Sequence, residues 1–271
     1  MDVPSPHSPV SHRAGAHREI PILKDSMKAV IVAAGTSSRL RPLTDAVHKT
    51  LLPVGAKTIL DRLVGNLLQC GIRDLVVVTG YRADQLRAAL AGRDDLSVSF
   101  VHNSEFAETN NAYSLFLARR EIGNEPFILL DSDIVFDPAI LRRLLDSPQP
   151  DALVLRTTGE IGDEEIKVAL DGAGRVERIG KDVPRGEAKG ESIGIEKFGS
   201  AGPALFNALQ RRVEEGNGRN EFYEAAFQEI IDAGIPLGTV DTESLLSIEI
   251  DTLDDLAAAR QVVHRWFKDD G

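Results

Sequence analysis

The sequence predicts an α/β protein built on a doubly wound, Rossmann-like mixed sheet with helices on both faces, and three observations predict it. Apolar runs of strand length recur along the chain, each followed by helical periodicity. The first run ends in a loop rich in Gly and Ser. After about Pro150 the texture changes to short strands that include a hairpin signal. Strand and helix in alternation imply right-handed crossovers and parallel pairing, while the later hairpin implies a smaller β-hairpin and helical subdomain on the same sheet.

Residues 1–26 are rich in Pro, Ser and His and carry no hydrophobic period, so they cannot offset the entropy of ordering and are expected to form a loose arm. Met27 stands directly before the first strand-like run, which makes it a plausible alternative translation start. Scattered His7, His12 and His17 are read as residues of that arm, not as a metal site. Lys28 to Ala34 is a continuous apolar run of the kind buried on both faces of a parallel sheet. Ile59, Leu60, Leu63, Val64 and Leu67 then recur at helical spacing, and Asp74 to Gly80 reads as a second buried strand. A short helix over Asp84 to Leu90, a strand over Ser97 to Asn103 and a helix over Asn111 to Ile122 follow. Pro126 to Phe136 reads as a fourth strand running into a polar turn. Later, ALVLRTT, EIKVAL and RVERIG are short strands, the last two joined by Asp-Gly-Ala-Gly, and GESIGIEKF is another. Helices over about Ala204 to Glu215 and Asn220 to Ala233, a strand through LLSIEID and a closing helix from Leu253 to Phe267 complete the chain.

Composition narrows the function. With 42% hydrophobic, 27% charged and 5% aromatic residues in 271, the chain has the profile of an ordinary globular protein. The 31 Lys and Arg against 42 Asp and Glu leave a net charge of −11, which argues against a nucleic-acid or anionic-membrane surface, since both need clustered cations. The one cysteine, Cys70, lies in an apolar helical pattern and reads as core filler. A lone cysteine suits a reducing compartment, no apolar run approaches the length of a bilayer span, and the N-terminus shows no signal-like stretch. The expectation is a cytoplasmic protein, monomeric or homodimeric.

Three features carry chemistry. The first is Ala33 to Gly55, AAGTSSRLRPLTDAVHKTLLPVG. A buried strand ending in Ala33, Ala34 and Gly35, then Thr36, Ser37, Ser38 and Arg39, describes a loop whose backbone N–H groups meet phosphate oxygens without side-chain obstruction. Arg39 adds a forked cationic donor and Lys49 a second charge. The loop matches neither G-x-G-x-x-G nor G-x-x-x-x-G-K-[ST]. The second feature is LLDSDIVFD, where Asp131 and Asp133 emerge at a strand end, and the third is IEIDT, where Glu249 and Asp251 repeat that arrangement. Either pair alone is as readily a solvated strand end. Beside a phosphate loop, they suit Mg²⁺, which takes a few carboxylates and leaves its other positions to water and phosphate.

These residues resemble the nucleotidyltransferase superfamily of the sugar-phosphate and alcohol-phosphate type. Its pattern A-A-G-x-G-x-R-L-x-P-x-T…P-K-x-L reads here AAGTSSRLRPLT…HKTLL, with Ser37 in place of the second glycine and His48 in place of the proline. The resemblance runs from Met27 almost to the C-terminus, implying one nucleotidyltransferase domain over 27–271. Asn110 to Leu115 (NNAYSL), GDEEIKV, GESIGIEKF and IEIDT look like the branch of CTP:phosphocholine and 2-aminoethylphosphonate cytidylyltransferases. What this implies is transfer of CMP from CTP to a small phosphorylated or phosphonylated alcohol, with Mg²⁺ as cofactor.

The resemblance assigns Asp133, Asp251 and, by the doublet, Glu249 to the metal. Lys49 and Lys167 would contact phosphates, and Gly35, Arg39 and Gly80 would hold the nucleotide. Asn110 and Asn111 would lie at the junction of base and acceptor, where an amide both donates to and accepts from a pyrimidine edge. For a cationic acceptor the aromatic candidates are Tyr113, Phe222 and Tyr223, with core packing the favoured reading of Phe222, and Trp266 is read as packing. Glu191 is a further acceptor-side candidate. Glu221 and Glu224 would hold an amine, an exposed acidic helix face being an equal reading. Two alternatives stay open, a sugar-1-phosphate nucleotidyltransferase using another NTP and a catalytically silent nucleotide-binding module of this fold. The charge is also unevenly spread. Glu221 to Gly271 holds 12 acidic and 3 basic residues, while Thr36 to Thr50 has Arg39, Arg41 and Lys49 against Asp45 alone.

Overall fold

A computed structural model describes residues 27–267. The expected N-terminal arm, with its three histidines, lies outside these residues. In chain order the elements are β1 (Lys28–Ala33), β2 (Pro53–Val54), β3 (Lys57–Thr58), α1 (Ile59–Gln69), β4 (Asp74–Thr79), α2 (Ala83–Leu90), β5 (Ser97–His102), α3 (Asn111–Leu117) and α4 (Arg119–Ile122). They continue with β6 (Phe127–Asp131), β7 (Ile134–Phe136), α5 (Pro138–Asp146), β8 (Asp151–Arg156), β9 (Lys167–Leu170), β10 (Val176–Gly180) and β11 (Gly190–Phe198). The last are α6 (Gly202–Glu215), α7 (Glu224–Asp232), β12 (Gly238–Asp241), β13 (Ser247–Glu249) and α8 (Leu253–Trp266).

Strands β5, β4, β1 and β6 lie side by side and parallel, and β11 joins β6 antiparallel, so the nine-stranded sheet is mixed as expected. One edge of the long β11 pairs with β9 at its start and with β6 further along, its other edge pairs with β8, and β12 lies parallel to β8. The β9–β10 pair is the expected hairpin. β1 is buried on both faces. Ala29, Ile31 and Ala33 belong to one apolar core, Val30 and Val32 to the other. Each such fully buried Val or Ile contributes about 1.5–3 kcal/mol, which is why so short a run fixes the centre of the sheet. Chain order moves from β1 to β4 on one side and later to β6 on the other. The switch point therefore falls at the carboxyl end of β1, where open α/β sheets bind ligands.

Local chemistry sets the boundaries. Thr58 and Asp61 form a reciprocal capping box that starts α1, and Thr252 with Asp255 does the same for α8. Helix α5, absent from the sequence reading, begins with Asp137 accepting from the Ala139 N–H and Pro138 in the first turn. The single helix expected over Asn111 to Ile122 divides at Ala118 into α3 and α4. The strand expected over Pro126 to Phe136 breaks at Ser132 and Asp133, and β12 was not anticipated. The helix expected from Asn220 begins only at Glu224. Cys70 is half-buried against the core at the end of α1, and Trp266 is exposed. Among the described residues no helix is long and apolar enough to cross a membrane.

Candidate active site

A cleft of about 570 Å³ opens at the switch point. One wall is the loop after β1. Ala34, Gly35, Ser37 and Arg39 line it, and Leu40 N–H closes it onto the Ser37 carbonyl at 3.1 Å. Ser37 sits in the left-handed region (φ 50°, ψ 49°), the conformation that explains why glycine is the common residue there. Ala33 is buried and Thr36 and Ser38 are not among the cleft-lining residues. Gly80 does not face the cleft. A Cβ there would lie 2.6 Å from the Ala34 carbonyl oxygen and 2.6 Å from the Phe106 Cβ, so this glycine lets β4 pass closely beneath the loop.

The acids meet through a two-stranded ribbon. β13 pairs antiparallel with β7, placing Ile134 opposite Glu249, and the Ile250 N–H bonds the Asp133 carbonyl at 2.9 Å. Carboxylate oxygens of Asp133, Glu249 and Asp251 thereby all lie within 4.8 Å of one another. Lys49 Nζ stands between two of them, 2.8 Å from Asp133 Oδ2 and 2.7 Å from Asp251 Oδ1, and Arg39 Nη2 reaches Asp251 Oδ2 at 2.6 Å. The second oxygen of Asp133 is buried without a partner.

This clustering moves the acids apart in proton affinity. Burial and then the charges of Asp133, Asp251 and Asp131 push Glu249 up to about 8, although the residue is open to the cleft. Burial alone would raise Asp251, but Lys49 and Arg39 outweigh it and hold that carboxyl below its usual range. Burial likewise opposes the Lys49 charge, and the carboxylates of Asp133 and Asp251 overcome it and raise its pKa. Asp131 is raised well above the carboxylate range by burial, then by Asp133 and Glu224. Three carboxylates, one of them with an unsatisfied oxygen, fit a hard divalent cation.

His48 joins the two ends of the loop after β1. Its Nε2 lies 3.2 Å from the Ala33 carbonyl, its Nδ1 accepts from Thr50 N–H at 3.2 Å, and Gln85 accepts from its own N–H at 2.7 Å. Burial pushes the imidazole down to about 4, so it is neutral and bridges by hydrogen bonds.

The opposite wall is built from α3 and the start of α7. Asn110 caps α3 through its own side chain, and its N–H bonds the Arg219 carbonyl at 2.7 Å. Asn111 Oδ1 accepts from Tyr223 N–H at 2.9 Å, so both asparagines line the cleft while latching α3 to α7. Several acceptor-side expectations need correction. Tyr223 is fully buried, its hydroxyl donating to Asp131 Oδ1 at 2.8 Å, and it is Phe222, 40% exposed, that lines the cleft. Tyr113 is turned to Glu105 and to the Arg219 guanidinium, and Glu221 is paired with Arg212, so neither faces the cleft. Lys167, expected on the phosphate side, is buried, and its ammonium donates to the carbonyls of Asp163 and Glu165 in the loop before β9. Glu191 does line the cleft, with Arg156 at 2.5 Å. Sequence reasoning missed Glu165, Arg156 and Lys181, because only the β8–β11 pairing and the β9–β10 hairpin bring them to the cleft.

Residues 29–226 match the family described as MobA-like NTP transferase domain. The chain belongs to that family. Among curated relatives this NTP transferase is 35% identical over 107 residues to a choline-phosphate cytidylyltransferase of Streptococcus pneumoniae, covering 40% of this chain and 44% of that protein. It is 23% identical over 239 residues to a 2-aminoethylphosphonate cytidylyltransferase of Lancefieldella rimae (86% and 92%), and 28% identical over 215 residues to a glucose-1-phosphate thymidylyltransferase of Streptomyces griseus (77% and 58%). The chain spans less than half the length of several curated relatives it matches. The solved CTP:phosphocholine cytidylyltransferase of Streptococcus pneumoniae superposes with a TM-score of 0.72 at 21% identity, over 88% of this chain and 99% of that one, a likeness of fold.

Proposed function

We propose that this NTP transferase is a Mg²⁺-dependent cytidylyltransferase that moves CMP from CTP to a small phosphorylated or phosphonylated acceptor and releases pyrophosphate. The observation that carries the reading is the convergence of Asp133, Glu249 and Asp251 with Lys49 and Arg39 beside the loop after β1. Asp133, Glu249 and Asp251 would hold the metal, which neutralises phosphate charge when bound.

The rest is done by this chain's own groups. An acceptor phosphate or phosphonate oxygen forms a bond to the α-phosphorus as the bond to the pyrophosphate oxygen breaks, so no protein nucleophile is needed. Loop backbone groups of Ala34, Gly35 and Ser37 orient the triphosphate, and Arg39 and Lys49 offset the charge that builds on its oxygens. His48 keeps the loop and Lys49 in one register. Asn110 and Asn111 stand where base and acceptor meet. Two carboxylates set beside two cations also support turnover over silent binding.

Pyrophosphate release with each NTP across an acceptor panel tests this. CTP is expected to exceed UTP, ATP and dTTP, and UTP matching CTP would overturn the branch. dTTP with a sugar 1-phosphate as the best pair would favour the second reading, which the Streptomyces griseus relative supports. Full activity in Asp133→Ala would overturn the metal site.

A further inference from the structure

The segment that joins β5 to α3 forms part of the cleft, and its side chains before Asn110 have no part in the transfer chemistry described above. Phe106 and Thr109 of this segment line the cleft beside Asn110. Among the described residues the only other aromatic side chain lining it is Phe222, and the Lys181 ammonium lies 4.7 Å from the centre of that ring. Phe106 therefore offers the cleft an aromatic face with no cation over it.

Phe106 stands at the near end of the loop after β1. A Cβ on Gly80 would lie 2.6 Å from both the Ala34 carbonyl oxygen and the Phe106 Cβ, so Phe106 leaves the backbone just across from Ala34 and Gly35. The Tyr81 ring packs against it, with centroids 6.2 Å apart, and does not itself line the cleft. Arg39, Lys49, Asp133 and Asp251 are joined to one another at the far end of the same loop. A nucleotide whose triphosphate runs along the loop toward those groups brings its base to Phe106.

Asn103 holds this arrangement from beneath. It is 0% exposed, and its side-chain amide is fully engaged within the segment and α3. Its Oδ1 accepts from the Glu105 N–H at 2.9 Å, and its Nδ2 donates to the hydroxyls of Thr109 at 3.0 Å and Ser114 at 3.1 Å. The Asn103 N–H donates to the Thr79 carbonyl at 2.8 Å, and the Thr109 hydroxyl donates to the Glu105 carbonyl at 2.8 Å. One buried side chain thus ties both ends of the turn that carries Phe106 to β4 and to α3. Buried polar groups that are all paired specify a single geometry.

We propose that Phe106 is the face on which the nucleobase stacks, and that Asn103 is the positioning residue that holds it there. This rests on the nucleotide half of the transfer reading and not on the choice of cytosine, because stacking on an aromatic ring accepts any base.

Calorimetric titration of the intact protein with CTP, UTP and inorganic tripolyphosphate in Mg²⁺ tests this. Phe106→Leu keeps apolar bulk and removes the flat face. It is expected to weaken CTP and UTP by a common factor of about 20 and to leave tripolyphosphate unchanged. Asn103→Asp keeps the size of the side chain and its acceptor for the Glu105 N–H, and loses both N–H donors. It is expected to weaken CTP by about 10-fold, and the double variant to lose little more than Phe106→Leu alone. Unchanged CTP affinity in Phe106→Leu, or an equal loss for tripolyphosphate, overturns the stacking face. Losses that multiply in the double variant overturn the positioning role. A parent protein that prefers UTP, with both nucleotides weakened in Phe106→Leu, overturns the cytidylyl branch and upholds this proposal.

Discussion

Lys49 Nζ lies 2.7 Å from Asp251 Oδ1, although the two residues are 202 positions apart in the chain. The ammonium is buried and shared with Asp133, so it holds together two carboxylates that would otherwise repel each other. Lys49 and a divalent cation therefore serve the same electrostatic need. Lys49→Met is expected to cost at least about 100-fold in turnover and, without metal, about 3 kcal/mol of stability, as expected when one partner of a buried pair is removed. Mg²⁺ should then raise the Tm of the variant more than that of the parent. Melting curves in EDTA and in Mg²⁺ check this, and an equal metal-induced shift in both proteins would count against a shared site.

His48 supplies a pH dependence whose direction is set by burial. Its folded-state pKa, about 4, lies below the usual 6.5, so the unfolded chain takes up a proton first as pH falls. The stability from the neutral ring is complete above pH 6.5 and is lost as pH drops through 4, a total of about 3 kcal/mol. His48→Gln should flatten the denaturant-derived stability profile over this interval. An unchanged slope would mean that other groups titrate there.

Much of the fold was legible because its signals are local. Buried β1 and β4 appear as apolar runs, and the capping boxes, the Asp-Gly-Ala-Gly turn and the loop after β1 appear as short patterns. Asp137-Pro138 is likewise a local start signal for α5. β12 carries no such signal, since Gly238–Asp241 is four residues long and mostly half-buried. The acid doublets were visible, yet their convergence depends on β7 meeting β13, a pairing that no local pattern encodes. On the acceptor wall the choice between Phe222 and Tyr223 turns on backbone phase. Phe222 faces the cleft and Tyr223 the core because the helix begins at Glu224, later than periodicity suggested.

Ser37 pairs a left-handed backbone with a side chain that is not glycine. Ser37→Gly should keep activity and change stability by no more than about 1 kcal/mol, relief of strain being set against a freer unfolded chain. Ser37→Val should lose nucleotide affinity, because a β-branched residue resists positive φ and would pull the loop from the shape that the Thr44 hydroxyl fixes through the Ser37 carbonyl at 3.0 Å. Titration with CTP in Mg²⁺ separates the two, and equal affinity in Val and Gly variants would show that the loop shape does not matter.

Asp151 gives a prediction of the opposite kind, a large loss of stability with intact chemistry. It is buried at the start of β8, and its Oδ1 accepts from the N–H groups of Gly199, Ser200 and Ala201 at 2.9, 3.0 and 2.8 Å, while Oδ2 takes the Ser200 hydroxyl. These contacts turn the chain from β11 into α6. Asp151→Ala would leave several buried donors unpaired, at about 3 kcal/mol, which in a domain of this size lowers Tm by roughly 9 °C. Asp151→Asn keeps an acceptor for the backbone donors, and the serine hydroxyl can accept from its amide, so the loss should be about a third as large. The residue does not line the cleft, so KM for CTP should be unchanged in both variants at a temperature where they are folded. A KM shift in Asp151→Asn would instead show that the turn into α6 controls the geometry of the cleft.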